Sequence, residues 1–264
     1  MINFHREGSG PPLVLLHGVG LSWQIWRPVI VLLRDRFDVI ACDSPGFGDS
    51  PPLPEAVVPA IPAYADAFAA FFAELGIERP HVSGNSMGGA IGLELARRGA
   101  VASVSALSPA GFWTQGERRF CQVSLQALAD IPSIARPAVL AAAGTRIGRV
   151  AMYWQTFGRP TRMPAEEGAR ILQAAWAAPA FESALAAFSD YTFSDGHELS
   201  SSIPVTVAWG IQDRLLPYSA QSQRARALLP RARHLSLGVG HVPFFDDPPV
   251  VAETIRSSTR SSVV

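Results

Sequence analysis

Along this chain, short and nearly unbroken apolar runs alternate with longer stretches in which apolar residues recur every three or four positions. The run 11–18, Pro-Pro-Leu-Val-Leu-Leu-His-Gly, ends on glycine and reads as a strand buried on both faces. Similar runs stand at 37–41, 81–84, 101–107, 205–209 and 233–237. Helical patterns at 24–34, 63–75, 86–98, 219–229 and 249–256 fall between them. Six strands alternating with helices predict an α/β fold: a doubly wound, mostly parallel sheet with ligands at the carboxyl ends of its strands. Across 111–202 the rhythm breaks, and Ala-rich helical patterns are interrupted by Pro132, Pro137, Pro160, Pro164 and Pro179. The expected organisation is a core of 1–110 and 203–264, a helical insertion at 111–202, and a tail from Ser257 that frays.

Composition narrows the classes. With 48% hydrophobic and 17% charged residues in 264, the chain can bury a sizeable core and is expected to form one main domain. All 22 basic residues are Arg and 22 acidic residues balance them, so the formal charge is zero. That balance gives no electrostatic reason to expect nucleic acid or an anionic membrane as partner. No stretch approaches the roughly 18 apolar residues of a membrane span, and residues 1–10 lack the apolar segment of a signal peptide. Two widely separated cysteines, Cys42 and Cys121, read as reduced thiols, so a cytoplasmic location is expected. No His/Cys/Asp cluster has metal-ligand spacing, no P-loop occurs, and no G-x-G-x-x-G opens a helix after the first strand. The expectation is an enzyme without cofactor or metal that acts on a small molecule; the oligomeric state is left open.

Gly84-Asn85-Ser86-Met87-Gly88 sits between the 81–84 strand and the 86–98 helix. A sharp strand-to-helix turn would expose the serine hydroxyl, and glycines on either side would let the backbones approach closely. The bland reading of the same residues is a glycine-rich helix start that packs closely or binds phosphate.

With these flanks the sequence resembles the α/β-hydrolase superfamily over nearly its whole length outside the insertion. His17-Gly18-Val19-Gly20 is similar to the family's H-G-x-G loop, so the resemblance implies one oxyanion-hole N–H from Val19 and a second from Met87. Asp43-Ser-Pro-Gly-Phe-Gly-Asp-Ser50 resembles the family's structural D-x-P-G-x-G-x-S turn. The segment after Trp209-Gly210 looks like the loop that delivers the triad acid, Asp213, and Gly238-Val-Gly-His241 resembles the loop of the base. The physical logic agrees. Serine needs a neutral imidazole to become nucleophilic near pH 7, and the imidazole needs a carboxylate to fix its tautomer. Taken alone, Asp213 would read as a turn residue; Asp43 and Asp246 rank below it, as a structural turn and a helix cap. His17 is expected to brace its loop, while His5, His81, His197 and His234 have no chemical context.

The resemblance places a cap after the sixth central strand, and 111–202 occupies that place. Its aromatics, among them Trp113, Trp154, Phe157 and Phe181, suggest an apolar pocket roof, although such residues more often form a cap's own core. The favoured function is hydrolysis of a carboxylic ester with an apolar moiety through an acyl-enzyme on Ser86. The alternative is C–C bond hydrolysis of vinylogous 1,5-diketo acids, whose enzymes carry an Asn before the nucleophile and a cap arginine; Asn85 and Arg170 match. Substrate contacts are therefore expected at Asn85, Trp113, Trp154 and Arg170. In the same superfamily, epoxide hydrolases use Asp as nucleophile, which Ser86 argues against. A catalytically weak ligand-binding receptor on the same fold is the reading from another class.

Overall fold

The computed structural model describes residues 1–194, 196 and 199–260, so His197 lies outside the described residues. Seven strands form one sheet: β1 (Phe4–Gly8), β2 (Pro12–Leu16), β3 (Asp38–Cys42), β4 (His81–Asn85), β5 (Ser103–Leu107), β6 (Val205–Gly210) and β7 (Arg233–Leu237). Their spatial order is β1-β3-β2-β4-β5-β6-β7, and every pairing is parallel except β1 with β3. All five residues of β5 and the last four of β2, β3 and β4 are buried, as expected of strands covered on both faces.

The sequence pattern finds six of these strands and misses β1. Phe-His-Arg-Glu-Gly carries too few apolar residues to stand out, because an antiparallel edge strand has one side open to water. Its charges pair at that edge, Arg6 with Asp38 at 2.6 Å and Glu7 with Arg34.

Among the described residues five α-helices flank the sheet: α1 (Arg27–Leu33), α2 (Ile61–Glu74) and α3 (Met87–Arg97) come before the insertion, while α9 (Tyr218–Leu228) and α10 (Pro248–Thr259) come after it. Helices α1 and α10 pack together on one face, where Trp26 and Phe244 meet at 4.1 Å between ring centroids. Helices α2, α3 and α9 contribute to the core on the other. Helix α10 continues through Ser257 to Thr259, three residues into the tail expected to fray, because Ile255 and Ser258 are buried against the core.

Between β5 and β6 the insertion folds into α4 (Gln115–Ala129), α5 (Arg136–Ala143), α6 (Arg146–Tyr153), α7 (Ala165–Ala177) and α8 (Phe181–Ala187). In chain order it leaves the sheet after the fifth of these seven strands, not the sixth. Local chemistry sets its helix starts. Thr114 and Glu117 form a reciprocal capping box on α4, Thr145 caps α6 through Gly148 N–H, and Pro137 and Pro164 stand at the beginnings of α5 and α7.

Candidate active site

The sheet order reverses between β2 and β4, and the loops leaving their carboxyl ends meet there. Ser86 follows β4 with φ 57° and ψ −116°, a conformation that costs a side-chain-bearing residue on the order of 1–3 kcal/mol. The surroundings hold it in place. Ser86 N–H donates to Leu107 O at 3.0 Å, and Ser86 O accepts from Ala90 N at 3.0 Å and Ala110 N at 3.1 Å. The flanking glycines are required sterically. A Cβ on Gly84 would lie 2.1 Å from Gly88 O, and one on Gly88 would lie 2.3 Å from Leu16 O.

The loop after β2 closes over this turn, where a Cβ on Gly18 would stand 3.2 Å from Ser86 Cβ. His17 braces that loop: Nδ1 pairs with Gly18 O at 2.7 Å, and Nε2 accepts from Ser44 N–H at 2.9 Å. Those partners fix the neutral tautomer, and burial lowers the imidazole pKa, outweighing the opposing Gly18 hydrogen bond and Asp43 charge. Val19 and Met87 are buried, and neither N–H donates to an acceptor among the described residues.

Asp213 and His241 come from the loops after β6 and β7. His241 Nδ1 lies 2.8 Å from Asp213 Oδ2, with both side chains almost completely buried. Asp213 Oδ1 accepts from the N–H groups of Leu215 at 3.0 Å and Leu216 at 2.8 Å, so the carboxylate is oriented from both sides. Nearby, the Cys121 thiol is pushed up to about 12, first by burial and then by the Asp213 charge. Asn85 ties the parts together: its Nδ2 donates to Leu107 O at 3.1 Å and to His241 O at 2.8 Å.

Ser86 and His241 line one cavity of about 60 Å³. Core residues Val19, Leu21, Leu215 and Val242 form part of its wall, and the insertion supplies a roof including Leu125, Tyr153, Phe157, Leu172 and Phe181. Among the described residues the lining contains no Arg, Asp or Glu. Among the described residues no group of three or more His, Cys, Asp or Glu comes together as a metal site.

Three expected substrate contacts lie elsewhere. Trp113 is buried under the insertion, its indole N–H bonded to Tyr191 O at 2.9 Å and its ring 5.5 Å from that of Phe188. Burying an indole favours a partner for its N–H, and Trp113 finds one away from the cavity. Trp154 is 51% exposed, with the Arg214 guanidinium 6.0 Å from its ring centroid. Arg170 pairs with Glu167 one helical turn away, beside a separate small recess. Asn85 borders the cavity, but its amide donors are spent on backbone. Leu125, Ile171 and Leu172, which do line it, leave no mark in the sequence because aliphatic residues on a helix look alike whether they face a core or a cleft.

The other two candidate acids, Asp43 and Asp246, are engaged by other hydrogen bonds. Asp43 accepts from Trp23 N at 2.7 Å, Asp49 N at 3.0 Å and Asn3 Nδ2 at 2.7 Å. Asp246 is not the helix cap expected of it. Its neighbour Asp247 caps α10 through Val250 N, whereas Asp246 binds backbone of the insertion and of the His241 loop. His5 stacks on Trp23 at 4.5 Å, His81 meets Ser103 Oγ at 2.8 Å and His234 meets Leu229 O at 2.8 Å, all outside the cavity lining.

The family model described as alpha/beta hydrolase fold matches residues 11–248. An uncharacterised protein of Mycobacterium tuberculosis is 32% identical over 260 residues, covering 93% of this chain and 74% of that protein. An epoxide hydrolase of the same organism is 32% identical over 189 residues, 70% of this chain and 87% of its own length. Among solved structures, a thermophilic esterase from Thermogutta terrifontis aligns with a TM-score of 0.74 at 24% identity, covering 97% of this chain and 92% of that one. No single helix among the described residues is long and apolar enough to cross a membrane.

Proposed function

The chain belongs to the alpha/beta hydrolase fold family, and from that premise we propose that it hydrolyses a carboxylic ester with an apolar moiety through an acyl-enzyme on Ser86. The observation that carries this reading is the meeting of a strained serine with a buried Asp213–His241 pair at one apolar cavity. His241 Nε2 takes the proton from Ser86 Oγ as that oxygen attacks the ester carbonyl. Asp213 holds the Nδ1–H tautomer and stabilises the imidazolium. The N–H groups of Val19 and Met87 receive the developing oxyanion, each donor lowering the barrier by roughly 3–4 kcal/mol. Collapse of the tetrahedral intermediate expels the alcohol, which takes the proton from His241. A water molecule, deprotonated by the same imidazole, then releases the acid. A cytoplasmic setting belongs to this reading and is supported by two buried free thiols.

The lining bears on the choice between ester and C–C cleavage. A vinylogous diketo acid would bring a carboxylate to a cavity with no arginine in its lining, and burying an unpaired carboxylate is costly. Epoxide opening is a second reading with a specific observation in its favour, the epoxide hydrolase relative. Against it stands Ser86, where that chemistry employs Asp. The test compares p-nitrophenyl esters of increasing acyl length with a vinylogous 1,5-diketo acid and an aryl epoxide. Ester turnover alone is expected; turnover of either other substrate without ester hydrolysis would overturn the proposal.

A further inference from the structure

One strip of the insertion, residues 154–159, is bonded to both loops that carry the Asp213–His241 pair. Arg214 N donates to Gln155 O at 3.3 Å and Arg214 Nη1 to Trp154 O at 2.8 Å, on the acid's loop. Val242 N donates to Thr156 O at 2.8 Å, on the loop of the histidine. At the end of the strip is Asp246, with no exposed surface. Its Oδ1 accepts from Arg159 N at 2.8 Å, and its Oδ2 accepts from Gly158 N at 2.8 Å and Gly240 N at 2.7 Å. One carboxylate thus gathers two N–H groups of the insertion and the N–H of the residue directly before His241. The backbones touch where it does so: a Cβ on Gly240 would lie 2.3 Å from Gly158 N.

We propose that Asp246 is a positioning residue that makes the cap strip 154–159 part of the machinery holding His241, so that the insertion sets the base as well as roofing the cavity. The proposal rests on His241 acting as the base. Its physical content is that three charge-assisted hydrogen bonds converge on a buried carboxylate, a stronger and more directional tie than neutral ones. An asparagine cannot replace it, because its NH₂ would confront an N–H donor. Released from the strip, Gly240 would let the imidazole drift, and chemistry would suffer before substrate binding, since the apolar lining contacts remain.

The test uses Asp246→Asn and, from the cap side, Gly158→Ala, whose Cβ would lie 2.1 Å from Gln212 Oε1, 2.9 Å from Gly240 N and 3.1 Å from Asp246 Oδ2, wedging the strip away from the carboxylate while leaving the carboxylate in place. With a p-nitrophenyl ester, each variant is expected to lose about tenfold or more in kcat with KM within about threefold, and the double variant to be little worse than the poorer single one, as for residues acting as a unit. Fluorophosphonate labelling of Ser86 is expected to slow in parallel. A lowered Tm with kcat within twofold of the parent in folded Gly158→Ala would overturn the proposal, leaving Asp246 a purely structural tie. If Asp246→Asn fails to fold, Gly158→Ala carries the same test. Failure of the underlying reading looks different: Ser86→Ala would then retain ester turnover.

Discussion

At the floor of the cavity Ser86 is placed by backbone. Its positive φ is held by three main-chain hydrogen bonds, and Gly84 and Gly88 stand where any Cβ would collide with a carbonyl at 2.1–2.3 Å. At the roof, Leu125, Ile171 and Leu172 are aliphatic side chains on α4 and α7, and other residues on the same helices are exposed. The floor admits one residue type at each of its key positions, whereas the roof needs only apolar volume. Substitutions at the floor are therefore expected to abolish function or folding, and those at the roof to tune it.

The sharpest test of the contrast is removal of the floor's chemistry. Ser86→Ala and His241→Ala are each expected to lower kcat by about 10⁴-fold or more, with the double variant scarcely worse than either. Steady-state kinetics on a p-nitrophenyl ester checks this, and multiplicative losses would break the unit. Next comes the backbone. Gly88→Ala is expected to destabilise by about 3 kcal/mol, the upper end for overpacking, measured by urea unfolding. A cost below about 1 kcal/mol would show that the turn is less constrained than its contacts suggest.

Acid sharpens the comparison on the core's side. Burial holds the pKa of His17 below its ordinary 6.5, and His81 and His234 are lowered in the same sense. The unfolded chain therefore binds protons that the folded core refuses. Their contribution to stability is complete above pH 6.5 and is lost as pH falls below it. Tm is expected to drop between about pH 7 and about pH 5, before the lowered carboxyls Glu94 and Glu117, with an ordinary value of 4.5, begin to contribute. A flat Tm across that window would contradict the buried neutral imidazoles.

The roof's effects are smaller. Tyr153→Phe removes the hydroxyl that donates to Gly168 O and is expected to cost about 1 kcal/mol with little change in kcat. Trp154→Ala, at an exposed ring, is expected to stay within about 0.5 kcal/mol of the parent in denaturant unfolding. A large loss of kcat in Trp154→Ala would return that ring to the site.

Legibility in the sequence follows the same division. The β-α alternation and the glycines around Ser86 were readable because a buried parallel strand demands a continuous apolar run and a tight turn demands residues without Cβ. Both leave residue types at fixed places. Strand β1 was not readable, since an edge strand of Phe-His-Arg-Glu-Gly shows no such run. The cap aromatics divide for a physical reason: Phe157 and Phe181, with no polar atom to satisfy, line the cavity, whereas the Trp113 indole N–H finds its acceptor in Tyr191 O, away from it. Asp246 looked like a helix cap because it sits one residue before the true cap, Asp247. Its role depends on Gly158, 88 positions away in the chain, and no local pattern records that pairing.

The central claim is that Ser86 is a nucleophile activated by His241. Mass spectrometry of the folded protein after reaction with a fluorophosphonate tests it most directly. The expected result is a single adduct on the peptide containing Ser86, absent in Ser86→Ala and formed far more slowly in His241→Ala. No adduct on the folded parent protein, or equal labelling of Ser86→Ala, would contradict it.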